Sequence, residues 1–293
     1  MKPSASLVLS SGGARGIAHI GVIKELERQG FEIKSIVGAS MGALVGGIYA
    51  SGNLNVFRDW LCQLDKKAVF NLVDFTLSTK GIVKGNKVIK ELKKMVPDVN
   101  IEDLSISYTA VATDIHNRKE VIFEKGSLYD AIRASISIPT ILTPFKLEEM
   151  LLIDGGVLNP IPINHIKRRI NDLLIAVDVN SPLSSIKQAT NKKSSKQEEN
   201  ELNYLSLIKE KFYHFMPNIK GYQFNYYTLL SKSASLMIQR ISALTMEMYP
   251  PDIRINIPAN SYGPFHFYKS DEIIKTGEMA TRKALLEFLV KNK

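Results

Sequence analysis

The chain has 293 residues, 45% of them apolar, which is enough for one principal domain with a sizeable core. Its one cysteine, Cys62, excludes an internal disulfide, and no stretch approaches the roughly 20 apolar residues of a membrane span. The net charge of +9 is dispersed apart from short groups such as Lys167-Arg168-Arg169, with no zinc-finger spacing, RNA-binding aromatic signature or basic-zipper pattern, so nucleic acid is not an expected partner.

Met1-Lys2-Pro3-Ser4 runs straight into a strand expected over 5–10, without an apolar leader segment, which gives the expectation of a cytoplasmic protein. The apolar spacing then predicts a helix over 17–29, a strand over 33–38 and a helix over 41–51. Cys62, in the apolar Trp60-Leu61-Cys62, reads as a small core residue. A helix follows over 86–95, strands over 106–113 and 119–124, a helix over 127–135, a strand over 150–153, a helix over 161–169 and a strand over 172–179. From 181 to 203 the composition turns to Ser, Lys, Gln, Asn and Glu, which predicts a mobile polar loop. Amphipathic or apolar stretches cover 204–216 and 223–248, the second reading as core, lid, acyl-binding helix or membrane contact. A strand over 252–257 and a helix over 270–290 close the chain, with Ser270 as N-cap and Asp271 and Glu272 in the first turn. Strands alternating with helices predict a three-layer α/β/α fold around a largely parallel central sheet. Residues 5–180 form the core of that fold, and 204–293 complete the same domain.

Three motifs sit at strand ends. Gly38-Ala39-Ser40-Met41-Gly42 fits G-x-S-x-G between a strand and a helix, where a sharp turn exposes a serine hydroxyl as a nucleophile. Upstream, Ser10-Ser11-Gly12-Gly13-Ala14-Arg15-Gly16 also joins a strand to a helix. Position 11, where a dinucleotide fingerprint would need glycine, is Ser11, so the better reading is a concavity of backbone N–H groups that binds an anion. Asp154 ends an apolar run and precedes Gly155-Gly156, which leaves a carboxylate at the strand's carboxyl end, ready to take a proton if it is desolvated and within reach. The histidines His19, His116, His165, His214 and His266 carry no local catalytic signature.

Together these motifs resemble the patatin-like phospholipase family, in which a Gly-rich oxyanion loop, a G-x-S-x-G serine and an Asp-Gly-Gly or Asp-Gly-Ala aspartate make a Ser–Asp dyad without histidine. The likeness continues through Ala112-Thr113-Asp114, Ile132-Arg133-Ala134-Ser135 to Pro139, and Gly156-Val157-Leu158-Asn159-Pro160, with an echo from Phe265-His266-Phe267 to Gly277. Ser11 departs from it, standing where the family's loop commonly has its first glycine.

The resemblance implies a patatin-like fold that hydrolyses carboxylic esters of lipids, as a phospholipase A or lysophospholipase. It assigns Ser40 as nucleophile, Asp154 as base, Gly12, Gly13, Ala14, Arg15 and Gly16 as the oxyanion loop, and Gly38, Gly42, Gly155 and Gly156 as supports. The Arg15 side chain is free to meet an anionic head group or to point elsewhere. No cofactor or metal is called for, since neither dyad nor loop needs a cation and the carboxylates form no ligand-spaced cluster. The expected partner is a lipid or other ester, with peripheral contact between the basic surface and an anionic membrane. Oligomeric state, head group and chain length are not encoded in any motif. Two other readings share the scaffold: an acyltransferase that pairs its serine with histidine, and a catalytically weak membrane-binding module.

Overall fold

The computed structural model describes residues 2–72, 75–78, 81–83, 85–139, 141–182 and 226–292. The expected polar loop beyond residue 182 and the stretch 204–216 lie outside them. The chain divides into a main unit, Met1–Leu183 with Met237–Lys293, and a second unit, Ser184–Leu236, of which residues 226–236 are described.

The strands of the main unit are apolar on both faces, as a parallel sheet covered on both sides requires. In β1 (Ser4–Leu9), Leu7 and Leu9 join one core and Val8 the other, and Ile36 and Val37 of β2 (Glu32–Ala39) divide in the same way. The larger core lies under α1 (Ala18–Arg28), α2 (Met41–Ala50), α3 (Leu54–Cys62), α6 (Leu128–Ser135) and the C-terminal α8 (Ser270–Lys291). The other face is covered by Ile161, Ile163 and Met246, the last on α7 (Tyr226–Met248). Short helices α4 (Lys66–Leu72) and α5 (Asn86–Met95) flank a hairpin of β3 (Phe75–Ser78) and β4 (Gly81–Val83). Among the described residues no helix is long and apolar enough to cross a membrane.

With β5 (Ser107–Asp114), β6 (Lys119–Phe123), β7 (Phe145–Leu147), β8 (Met150–Asp154), β9 (Leu173–Ser181) and β10 (Ile253–Pro258), the main sheet runs β10-β9-β1-β2-β5-β8-β7. The first five of these are parallel; β6 and β8 pair antiparallel with β5, and β7 pairs antiparallel with β8. This is the expected three-layer α/β/α architecture.

Three local expectations are corrected. No α-helix forms over 161–169. The segment instead makes successive tight turns, one of them the 3-10 turn Ile163–His165, and Ile161, Ile163 and Ile166 pack against the sheet residues Val8, Val37 and Val111. Cys62 is exposed, because the buried stripe of α3 is Leu54, Phe57 and Leu61 and position 62 falls off it. Ser270 is the first residue of α8, not its cap, and its hydroxyl donates to Phe267 O at 2.5 Å, while Asp271 and Glu272 do occupy the first turn.

The register around β5 positions the site. β6 lies along one edge of β5, opposite both Val111 and Ala112. The other edge is shared: β2 pairs with it up to Ala39 opposite Val111, and β8 arrives from the opposite direction with Asp154 opposite Ala112. Two strands thus point at each other along one edge, and their carboxyl ends meet at consecutive residues of β5.

Candidate active site

Ser40 is the residue between β2 and α2, and the turn forces it to φ 55°, ψ −123°. Such backbone angles cost a non-glycine residue about 1–3 kcal/mol and persist only where the surroundings fix them. The fixing groups are visible: Ser40 N–H donates to Ser135 Oγ at 2.8 Å, and Ser40 O accepts from Leu44 N at 3.1 Å. Gly38 and Gly42 let the turn close, since a Cβ on Gly38 would sit 2.4 Å from the Gly42 carbonyl carbon and one on Gly42 2.2 Å from Leu9 O.

Ser40 Oγ donates to Asp154 Oδ2 at 2.5 Å, so the two residues that the sequence singled out are in contact. Both are buried, at 3% and 5% exposure. The other carboxylate oxygen, Oδ1, accepts from Gly156 N at 2.7 Å. Burial pushes the Asp154 pKa up to about 6, against the pull of the bonds from Ser40 and Gly156. Gly155 lies flat on β5, where a Cβ would be 2.0 Å from Val111 O, and Gly156 lies against Ser11.

The glycine loop is anchored at both ends. Ser10 N donates to Val177 O and Ser11 N to Pro160 O, while Ser11 O accepts from Asn180 Nδ2 at 2.5 Å. Ser11 is not among the residues of positive φ, so serine fits where glycine is usual. Gly13 does require glycine, at φ 56°. Gly16 packs on Met41, next to Ser40. Among the described residues the N–H groups of Gly12 and Gly13 have no acceptor within the protein. The N–H of Ala14, also expected in the loop, donates to Pro264 O at 3.0 Å. The Arg15 guanidinium likewise points back into the fold, onto Val179 O, Tyr262 O and Asn180 Oδ1.

No described histidine reaches the pair. His19 is fully buried, its pKa pulled down to about 4 by burial, and its neutral ring donates through Nε2 to Ser10 O at 2.9 Å. His165 Nε2 bonds Glu120 Oε2 at 2.7 Å, His266 Nδ1 accepts from Gly263 N, and His116 lies exposed in a turn. His214 is outside the described residues. An open cleft of about 660 Å³ lined by Asp98, Asn100, Asp103 and Ser127 contains none of the site residues.

Sequence reasoning missed the bracket that holds the pair. Ser135 Oγ accepts from Ser40 N and donates to Val111 O at 2.6 Å, and two residues on, Ser137 O accepts from Asp154 N at 2.9 Å. The signal lay in Ala134-Ser135-Ile136-Ser137 at the end of α6, but its partners are far away in sequence. Ser135→Ala would leave the buried Ser40 N–H without its acceptor and take a donor from Val111 O, at about 1–3 kcal/mol for the unpaired N–H. A fall in Tm of about 5 °C or more is expected for a chain of this size.

A family model described as Patatin-like phospholipase matches residues 7–166. An uncharacterized NTE family protein of Mycobacterium tuberculosis is 46% identical over 178 residues, which are 61% of this chain and 49% of that protein. Lysophospholipase NTE1 of Candida albicans is 35% identical over 182 residues, 61% of this chain and 13% of that protein. The chain thus spans about half the length of the mycobacterial relative and far less of the yeast one. The solved structure of VipD from Legionella pneumophila aligns with 98% of this chain and 67% of its own, at 15% identity and a TM-score of 0.48. With more than half of its residues matched by that family model, the chain belongs to the patatin-like phospholipase family.

Proposed function

We propose that this chain is a serine acyl hydrolase that cleaves carboxylic ester bonds of lipids, of the phospholipase A or lysophospholipase type. The observation that carries the reading is the 2.5 Å bond from Ser40 Oγ to Asp154 Oδ2, made by a serine on a strained turn to a desolvated carboxylate. In acylation Ser40 Oγ attacks the ester carbonyl carbon as its proton passes to Asp154 Oδ2. Charge collects on the carbonyl oxygen, where the free N–H groups of Gly12 and Gly13 stabilise it. The ester C–O bond then breaks, and Asp154 returns the proton to the leaving alkoxide. Water repeats the sequence on the acyl-serine: Asp154 takes its proton and gives it to Ser40 Oγ as the fatty acid departs.

The choice of lipid is supported by the yeast relatives, whose name is lysophospholipase. It is also supported by Val157 and Leu158, just beyond Asp154, which are 42% and 40% exposed and suit an acyl chain or bilayer. The net charge of +9 favours an anionic surface.

An activated phosphonate is expected to label wild-type protein at Ser40, and the enzyme to hydrolyse both a short nitrophenyl ester and a lysophospholipid. Because the ionised carboxylate is the base, kcat/KM rises with pH through about 6, the value to which burial pushes Asp154. Folded wild-type protein that takes no label and hydrolyses neither substrate overturns the proposal.

A further inference from the structure

We propose that Arg15 is a positioning residue that braces the oxyanion loop, and that it does not bind the substrate's anionic head group. The inference rests on the hydrolase reading above for its kinetic consequence and on the hydrogen bonds for its structural one.

The guanidinium spends three of its five N–H groups on groups within the fold. Nε donates to Val179 O at 3.1 Å, Nη1 to Tyr262 O at 3.3 Å and Nη2 to Asn180 Oδ1 at 2.7 Å. Its charge faces the buried Asp178, whose Oδ1 accepts from Asn180 N at 2.9 Å. Asn180 closes the circuit, because its Nδ2 donates to Ser11 O, one residue before the free N–H groups. On the other side of them, Ala14 N–H is held by Pro264 O, in the same 259–266 loop whose Tyr262 O takes Nη1.

Gly12 and Gly13 are therefore suspended between two anchors, Asn180 and Pro264, and Arg15 ties the anchors to each other. A guanidinium already engaged in three directions, with a buried carboxylate opposite, gains little by turning to a solvated phosphate. Its loss would instead let both anchors relax and blur the aim of two donors. A misplacement of about 1 Å at such a site costs roughly 10²-fold in rate.

The test uses the full chain with Arg15→Met, which keeps the stem but no donor, Arg15→Lys, which keeps the charge but not the fork, and Asn180→Ala. Substrates are a neutral nitrophenyl ester and lysophosphatidylglycerol. The expected result is a fall in kcat of roughly 10²-fold on both substrates for Arg15→Met, with KM within about twofold, and little rescue by lysine. Asn180→Ala gives the same pattern, and the double variant is no worse than the poorer single one. The rate at which phosphonate labels Ser40 falls in parallel. Loss confined to the anionic substrate and carried by KM, with lysine restoring it, overturns the proposal and makes Arg15 a head-group ligand. Hydrogen exchange separates this inference from the hydrolase reading. Amides of 10–17 and 259–266 exchange faster together in Arg15→Met if the brace exists, whatever the enzyme hydrolyses, and unchanged exchange overturns it.

Discussion

Asp154→Asn is expected to lower kcat by about 10³-fold or more while making the protein more stable at neutral pH. The first effect follows from removing the proton acceptor of Ser40, since a positioned general base contributes about 10²–10⁴-fold and the amide that replaces it accepts no proton near neutrality. Ser40→Ala should lose as much, and the double variant little more, because the two residues act as one unit.

The second effect follows from the sign of the pKa shift. Asp154 is pushed up to about 6 in the folded protein, so above the ordinary carboxylate value near 4 its ionised form costs stability. The cost grows between pH 4 and 6 and levels off above, at about 3 kcal/mol. Asparagine removes it. Thermal melts at pH 8 should therefore place Asp154→Asn several degrees above wild type, and at pH 4 the gap should close. A variant that keeps a tenth of wild-type kcat would rule Asp154 out as the base. One that is less stable at pH 8 would mean that its carboxylate is well solvated or paired.

Gly42→Ala should be among the most damaging single methyl groups in the site. Its Cβ would lie 2.2 Å from Leu9 O, 2.6 Å from Leu9 C and 2.7 Å from Ser10 O, all main-chain atoms that have no rotamer to escape into. Overpacked cores usually lose about 1–3 kcal/mol by shifting side chains, and here the end of β1 itself must move, so a loss above about 3 kcal/mol is expected in chemical denaturation. On the proposed function, activity should fall further than stability, because Ser10 is the root of the glycine loop. Gly30→Ala is the control. Gly30 has φ 87° but open space around it, so alanine there meets backbone strain alone, about 1 kcal/mol. Equal losses in the two variants would show that close contact is not what keeps residue 42 small.

The chemistry was legible in the sequence because its marks are local. A serine between two glycines, a glycine run before a helix and Asp-Gly-Gly after an apolar run each announce a turn and a group presented on it. Alternating segments disclosed the layers, although 161–169 shows how isoleucines that pack on a sheet can mimic a helical pattern. What stayed hidden is everything set by pairing across distance. That Ser40 and Asp154 touch depends on two strands sharing an edge of β5 in register, and a slip of one residue would turn the carboxylate to the opposite face. The Ser135 bracket and the commitment of Ala14 and Arg15 belong to the same class, since nothing near them in sequence names Val111, Pro264 or Asn180.

The brace on the glycine loop also sets a timetable. Arg15 and Tyr262 are 247 positions apart, and a ribosome makes Ser40 and Asp154 long before it makes the carbonyls that hold the loop. Closing so large a chain loop carries an entropic cost that only the docked segment offsets. A nascent chain that has released Asp154 but not Pro264 would thus hold Ser40 and Asp154 with a slack glycine loop. On the proposed function, catalytic competence would then wait for Tyr262 and Pro264 to join the fold.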